Sequence, residues 1–229
     1  MDLFRKTALV TGGATGLGFE IASLLLEKGM IVWICGRSRP SLLSAQSKLS
    51  SPYVFIQQCD ISNPAQVAEM KKQIGHVDVL INNAGVWCDL PLEDTSIDQI
   101  SQTVQVNLLG TIYVSQAFFS SMKTKGEGII ANISSALGVH TRKHVSVYSA
   151  SKFGVRGFTE SLRDELKGTG IRVFGWYPGG MKTGLFEHAG QGRDMTGYID
   201  AKDMAKLFVS MLEVPQEMTI ETCVAGRTE

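Results

Sequence analysis

Short, nearly unbroken apolar runs recur along the chain: TALVT (7–11), IVWIC (31–35), YVFIQQ (53–58), VDVLIN (77–82), GIIANIS (128–134), IRVFGWY (171–177) and MTIETCV (218–224). Runs of this kind, rich in β-branched residues, predict strands covered on both faces. Between them the spacing changes to that of helices. Leu17, Ile21, Leu24 and Leu25 fall on one side of a helix over 17–28. A helix is predicted over 64–74, with Asn63 as N-cap and Pro64 at the first helical position. Two long helices are expected over 97–123 and 148–167, and a last one over 201–213 behind a capping Asp200. Strand and helix alternating in this way predict an α/β fold, a doubly wound parallel sheet of about seven strands with helices on both faces and right-handed crossovers. No linker or low-complexity tract divides the sequence, so 1–229 reads as a single domain. The glycine-rich stretch at 184–200 carries no periodic pattern and is the expected lid over a substrate.

Composition narrows the function classes. A chain of 229 residues buries roughly 70–75% of its unfolded surface and needs no covalent staples. Lysine plus arginine balance aspartate plus glutamate at 22 each, which gives no electrostatic reason for nucleic acid or an anionic membrane as partner. Cys35, Cys59, Cys88 and Cys223 form neither a CxxC pair nor a cluster with histidine, so neither a metal site nor a disulfide framework is expected. The start, MDLFRKTALVTGG, has no signal-type apolar region, and the uncharged stretch 107–122 is too short and polar to span a bilayer. The expectation is a soluble, cytoplasmic protein.

The first strand runs into TGGATGLG (11–18), with Gly12, Gly16 and Gly18 just ahead of a helix. Glycine lets backbone approach a phosphate, and a helix N-terminus favours an anion. Further on, YSASK (148–152) places Tyr148 and Lys152 four apart, on one face of a helix. NNAG (82–85), Ser135 and PGGMKT (178–183) complete a series in fixed order at strand ends. Together these motifs resemble the short-chain dehydrogenase/reductase family in its single-domain branch, over essentially the whole chain, and the resemblance implies a Rossmann-like fold. It implies Tyr148 as proton donor, Lys152 as its tuner and Ser135 as the serine that holds the substrate oxygen. It implies Asn107, in VQVNLLG, as the helix asparagine that holds a water near the lysine. The cofactor contacts it implies are Gly12, Ala14, Thr15, Gly16, Leu17 and Gly18 at the phosphates, and Asp60 and Ile61 at adenine. Asn83, Ala84 and Gly85 would lie beside the ribose, Pro178, Gly179, Met181 and Thr183 at the nicotinamide, and Tyr148 and Lys152 also touch the cofactor. Taken alone, Asn107, Ser135 and Asp60 read as a polar helix residue, a turn former and a turn cap. Strand alternation sends the side chain of Ser134 the other way from that of Ser135. The histidines at 76, 140, 144 and 188 match no catalytic pattern and read as loop or surface residues.

The second strand ends ICGRSR (34–39), with no acid to bind a ribose hydroxyl. Arg37, beside Ser38 and near Arg39, suits a 2′-phosphate, so NADP (as NADPH) is the expected cofactor and NAD the less favoured one. A free tyrosine titrates near 10. Acid–base work near neutrality needs about 4 kcal/mol of phenolate stabilisation, and an ammonium at ~5 Å supplies about 3 kcal/mol. The expected function is NADP(H)-dependent transfer of hydride between nicotinamide and a small carbonyl or alcohol substrate, with Tyr148 as general acid/base. The alternative is a catalytically idle NADP-binding regulator or scaffold on the same fold. Trp87, Leu137, Val139, Val145, Trp176, Leu185 and Phe186 are candidates for an apolar substrate pocket, and Arg142, Lys143 and His144 read as a solvated basic loop. The ending GRTE lacks the family's usual glycine-rich tail, which favours a homodimer through the two long helices over a tetramer.

Overall fold

The computed structural model describes residues 2–190, 192, 194–215 and 217–226, apart from the side chain of residue 188. The strands are β1 (Thr7–Thr11), β2 (Ile31–Gly36), β3 (Val54–Gln58), β4 (Val79–Asn82), β5 (Gly128–Ile133) and β6 (Ile171–Pro178), then the two-residue β7 (Met181–Lys182) and β8 (Ile199–Asp200), and β9 (Thr222–Ala225). Seven of them make one parallel sheet in the order β3-β2-β1-β4-β5-β6-β9, while β7 and β8 pair only with each other. The predicted doubly wound, Rossmann-like sheet is therefore the fold of a single domain. Strands β1, β4 and β5 are covered on both faces, and their burial accounts for the unbroken apolar runs. The strand order reverses between β1 and β4, which opens a crevice at the carboxyl ends of those strands.

The helices are α1 (Gly16–Glu27), α2 (Arg39–Leu49), α3 (Pro64–Ile74), α4 (Ile97–Val104), α5 (Gly110–Lys125), α6 (Ser146–Glu165), α7 (Leu185–His188) and α8 (Ala201–Leu212). Helix α1 buries Leu17, Ile21, Ala22 and Leu25 in the core shared with Phe208 of α8 and Trp176 of β6. The second core, on the other side of the sheet, holds Leu80, Val114, Phe118 and Ile130. Asn63 caps α3 by accepting from the N–H groups of Ala65 and Gln66, and Asp200 caps α8 by accepting from Lys202. Ser96 and Gln99 form a reciprocal capping box that starts α4.

The structure departs from the expected elements in four places. Helix α2, which buries Leu42 and Ala45, has no counterpart among the predicted helices. The expected helix over 97–123 is broken by a wide π turn at Gln105–Leu109, centred on Asn107. The last strand starts at Thr222, not at 218. The segment expected to be structureless contains α7 and β8; Gln191 and Arg193 within it, and residues 227–229 of the GRTE ending, lie outside the described residues. Among the described residues no helix is long and apolar enough to cross a membrane.

Candidate active site

A cleft of about 1030 Å³ opens at the carboxyl ends of the central strands, at the upper end of the usual range for small-molecule sites. One wall is the turn between β1 and α1. Gly12 has φ +65°, and a Cβ there would lie 2.9 Å from the Ala84 Cα. A Cβ on Gly18 would come within 2.5 Å of both the Gly12 carbonyl oxygen and the Asn83 Nδ2. Asn83 fixes this contact by donating to the carbonyls of Thr11 and Gly12. Thr15, the N-cap of α1, makes no side-chain capping bond.

The cleft is lined along its length by Gly12, Thr15, Gly16, Leu17 and Gly18, then Arg37, Asp60, Ile61, Asn83, Ala84 and Gly85, and finally Pro178, Gly179, Met181 and Thr183. Ala14 and Ser38 do not line it. Ser38 is instead the N-cap of α2, accepting from the N–H and hydroxyl of Ser41. Arg37, at the end of β2, is exposed on the rim. Asp60 accepts from both the N–H and the hydroxyl of Ser62, which orients its carboxylate. The glycine cradle, the uncapped helix end and the rim guanidinium fit a dinucleotide that carries phosphate.

At the other end of the cleft, Tyr148 and Lys152 rise from one face of α6, and both are buried. The Lys152 Nζ lies 5.8 Å from the Tyr148 ring centroid and donates to the Ile133 carbonyl at 3.2 Å. Ser135 faces the Tyr148 hydroxyl closely enough to favour its charged form, and its Oγ accepts from the Leu137 N–H at 3.1 Å. Ser134 turns away from this group. Its Oγ donates to the Lys152 carbonyl at 2.9 Å and ties β5 to α6.

Burial governs the charges here. It pushes the Tyr148 phenol up to about 12, against the lowering bond from Ser135, and pushes the Lys152 ammonium down to about 8. In the protein without a bound cofactor, the ammonium therefore does not bring the phenol toward neutrality. Desolvation penalises both charged forms, and the lysine itself is close to losing its proton near neutral pH.

Asn107 does not line the cleft. Its side chain is buried and used by the protein: Oδ1 accepts from the Val86 N–H at 2.7 Å, and Nδ2 donates to the Val86 carbonyl and the Ser151 Oγ at 3.0 Å each. It locks the segment after β4 against α6. Gly85 lies directly below, where a Cβ would meet Asn107 Oδ1 at 3.1 Å and Lys152 Nζ at 3.5 Å.

Of the apolar pocket candidates, Trp87, Leu137, Leu185 and Phe186 line the cleft, and Val139, Val145 and Trp176 do not. Trp176 points into the core, 5.1 Å from the Phe208 ring, because alternation along β6 turns it to that side. Tyr198 and His140 line the cleft without having been expected there. Tyr198 sits in a stretch with no period to place it, and His140 follows a 3₁₀ turn at Ala136–Gly138 that spacing does not reveal. Arg142, Lys143 and His144 are exposed, as expected of a solvated basic loop, and the Arg142 guanidinium also donates to the Asp89 carboxylate at 2.9 Å.

A glycine cradle at the turn of the sheet thus faces a buried Tyr148–Lys152 pair with the half-buried Ser135 beside it. A sequence model described as short chain dehydrogenase matches residues 6–194. An uncharacterized oxidoreductase of Staphylococcus aureus (strain N315) is 31% identical over 222 residues, covering 95% of each chain. An alcohol dehydrogenase of the archaeon Thermococcus sibiricus, solved with 5-hydroxy-NADP, superposes with a TM-score of 0.87 at 26% identity over 96% of this chain and 95% of that one. A serine dehydrogenase complexed with NADP+, in its closed form, superposes with a TM-score of 0.89 at 26% identity over 95% and 93%. The chain belongs to the short chain dehydrogenase family. It is an NAD(P)-dependent oxidoreductase of a small-molecule substrate.

Proposed function

We propose that the protein is an NADP(H)-dependent carbonyl reductase or alcohol dehydrogenase in which Tyr148 exchanges the substrate proton. The observation that carries this reading is the meeting of the Tyr148 hydroxyl with Ser135 at the wall of the cleft, with the Lys152 Nζ behind the phenol ring. The nicotinamide, when bound, supplies or accepts the hydride. Ser135 and Tyr148 donate hydrogen bonds to the carbonyl oxygen as negative charge develops on it. The phenol then gives its proton to that oxygen, and oxidation runs the same steps in reverse. In the free protein the phenol stays protonated near neutral pH, the form a reductase needs as acid. Lys152 faces Gly85 and supports both the phenol and the ribose hydroxyls. Asn107 is a positioning residue that holds the 83–86 segment and α6 in register.

Arg37 supports NADP over NAD, because it brings a guanidinium to the rim where β2 ends and Gly36 offers no carboxylate. Residues 184–200 act as the substrate lid in this reading, and Leu185, Phe186 and Tyr198 lining the cleft support that. The exposed Phe153 on α6 supports a homodimer through that helix and the 97–125 pair, in a cytoplasmic protein. The test is Tyr148→Phe. Turnover of carbonyl substrates with NADPH is expected to fall below detection while NADPH affinity stays within about threefold, since the phenol serves the substrate oxygen. Lys152→Ala is expected to damage both. A Tyr148→Phe enzyme near the wild-type rate refutes the assignment.

A further inference from the structure

The end of the cleft beside Tyr148 is built of rings. The Trp87 ring centroid is 4.5 Å from that of Tyr148 and 5.0 Å from that of Phe186, which meets it edge-on at 86°. Phe186 in turn is 6.1 Å from Tyr198, again edge-on. All four line the cleft, with Leu137 and Leu185 beside them. Flat faces set at right angles accept a flat apolar body better than a flexible polar one.

Charge at this end has one sign. Among the described residues lining the cleft, the carboxylate is Asp60, which stands at the end away from Tyr148 with Arg37; the phenol end has Lys152 and Arg142. Arg142, whose side chain is 41% exposed, is held in place by three contacts. Its guanidinium carbon stands 5.9 Å from the Trp87 ring centroid, and Asp89, whose side chain is 8% exposed, takes one Nη2 bond from outside the lining. A second, long bond runs from Nη1 to the Lys143 carbonyl at 3.4 Å. A guanidinium has five donors in a planar fork, so a guanidinium oriented by one carboxylate still presents donors to another. Trp87 touches both Tyr148 and Arg142, so the phenol and the guanidinium border the same indole.

We propose that the substrate is an aromatic carbonyl compound, or the matching alcohol, bearing a carboxylate across the ring from the reacting carbon. The ring packs on Trp87, Phe186 and Tyr198, and Arg142, oriented by Asp89, binds the carboxylate. This deepens the reading of the preceding section and rests on Tyr148 marking the reacting end.

The experiment compares 4-acetylbenzoate with its methyl ester. Affinity is measured by calorimetry with NADP+ present, and kcat/KM with NADPH. The proteins are wild type, Arg142→Lys, and Arg142→Gln combined with Asp89→Asn, which removes the ion pair together and orphans no carboxylate. Wild type is expected to bind the acid about tenfold or more tighter than the ester. The acid-to-ester ratio is expected to fall toward one in the double variant and to lie between in Arg142→Lys. A ratio near one in wild type, a preference that survives the double variant, or failure of both compounds to bind overturns the proposal. The affinity ratio does not depend on turnover. An active Tyr148→Phe enzyme would therefore sink the proton-transfer reading and leave this result standing, and an absent acid preference would do the reverse.

Discussion

Gly18→Ala tests whether the contact between α1 and the strand ends is as tight as the geometry indicates. The added methyl would sit 2.4 Å from the Gly12 carbonyl oxygen and 2.5 Å from Asn83 Nδ2, roughly an ångström inside normal carbon contact distance. Neither neighbour can yield cheaply. Gly12 is backbone already held at φ +65°, and Asn83 Nδ2 is bonded to the Thr11 carbonyl at 2.9 Å and the Gly12 carbonyl at 3.2 Å. Overpacking of this kind costs about 1–3 kcal/mol, and a displaced Asn83 adds about 1 kcal/mol for a lost hydrogen bond. Alanine's better helix propensity returns up to about 1 kcal/mol. The net expectation is a loss of about 1–3 kcal/mol, read as a fall in Tm of about 2–4 °C per kcal/mol for a chain of this size. Moving the helix end also misplaces the phosphate cradle, so NADPH affinity should drop about tenfold or more. The assay is thermal unfolding plus NADPH titration, with Gly157→Ala as control. Gly157 is an exposed position of α6 where a Cβ meets nothing within 4 Å, and that change should be neutral or stabilising by up to about 1 kcal/mol. A Gly18→Ala protein with wild-type Tm and wild-type affinity refutes the reasoning.

Arg37→Ala should weaken NADPH about ten- to 150-fold through loss of a charge-assisted bond of about 1.5–3 kcal/mol and leave NADH nearly unchanged; the ratio of efficiencies with the two cofactors decides it, and a wild type that prefers NADH refutes it. Ser135→Ala should cost on the order of 100-fold in kcat/KM, whereas Ser134→Ala should chiefly lower Tm, because its hydroxyl serves the Lys152 carbonyl; equal kinetic losses in the two would contradict that division. Burial opposes the charge on Asp78, but bonds from Lys125, the Thr7 N–H and His76 together hold its carboxyl below the ordinary range. Its stabilising share is therefore present above the unfolded pKa of about 3.9 and lost as pH falls through the lower folded value, so Asp78→Ala should cost about 2 kcal/mol at pH 7 and progressively less as the pH is lowered below about 3.9, by denaturant unfolding. Lys152 titrates near 8 when folded and about 10.4 when unfolded, so the unfolded chain binds the extra proton in that window and stability should rise with pH across it; Lys152→Met should abolish this rise.

The sheet is legible in the sequence because burial on both faces writes long apolar runs into β1, β4, β5 and β6, and the crevice follows from where glycine meets the first helix. Helices α2 and α3 bury two side chains each, and α3 is legible through its Asn63 cap and Pro64, while α7 has four residues in a stretch with no period. The positions of Tyr148, Lys152 and Ser135 can be expected because helical spacing and strand ends fix them. Their protonation cannot be, since it is set by the total burial of the pocket and not by the single neighbour that spacing reveals. Likewise Arg142 looks solvated in sequence because Asp89, its partner, is 53 residues away. Asn107 reads as a residue of the site, but its hydrogen bonds to Val86 and Ser151 join segments that only the fold brings together.

Strand β9 adds a constraint of a different kind. It pairs with β6 and nothing else in the sheet, yet Val224, Ala225 and Gly226 line the same cleft as Gly12. The two ends of that wall are separated by nearly the whole sequence, so their meeting is a contact of very long range. Loop closure over such a span is slow, and synthesis delivers the last strand long after the first. The glycine cradle can be in place while the cleft still lacks a wall. A nascent or refolding chain should therefore gain nucleotide affinity in two stages, with the second appearing only as β9 docks.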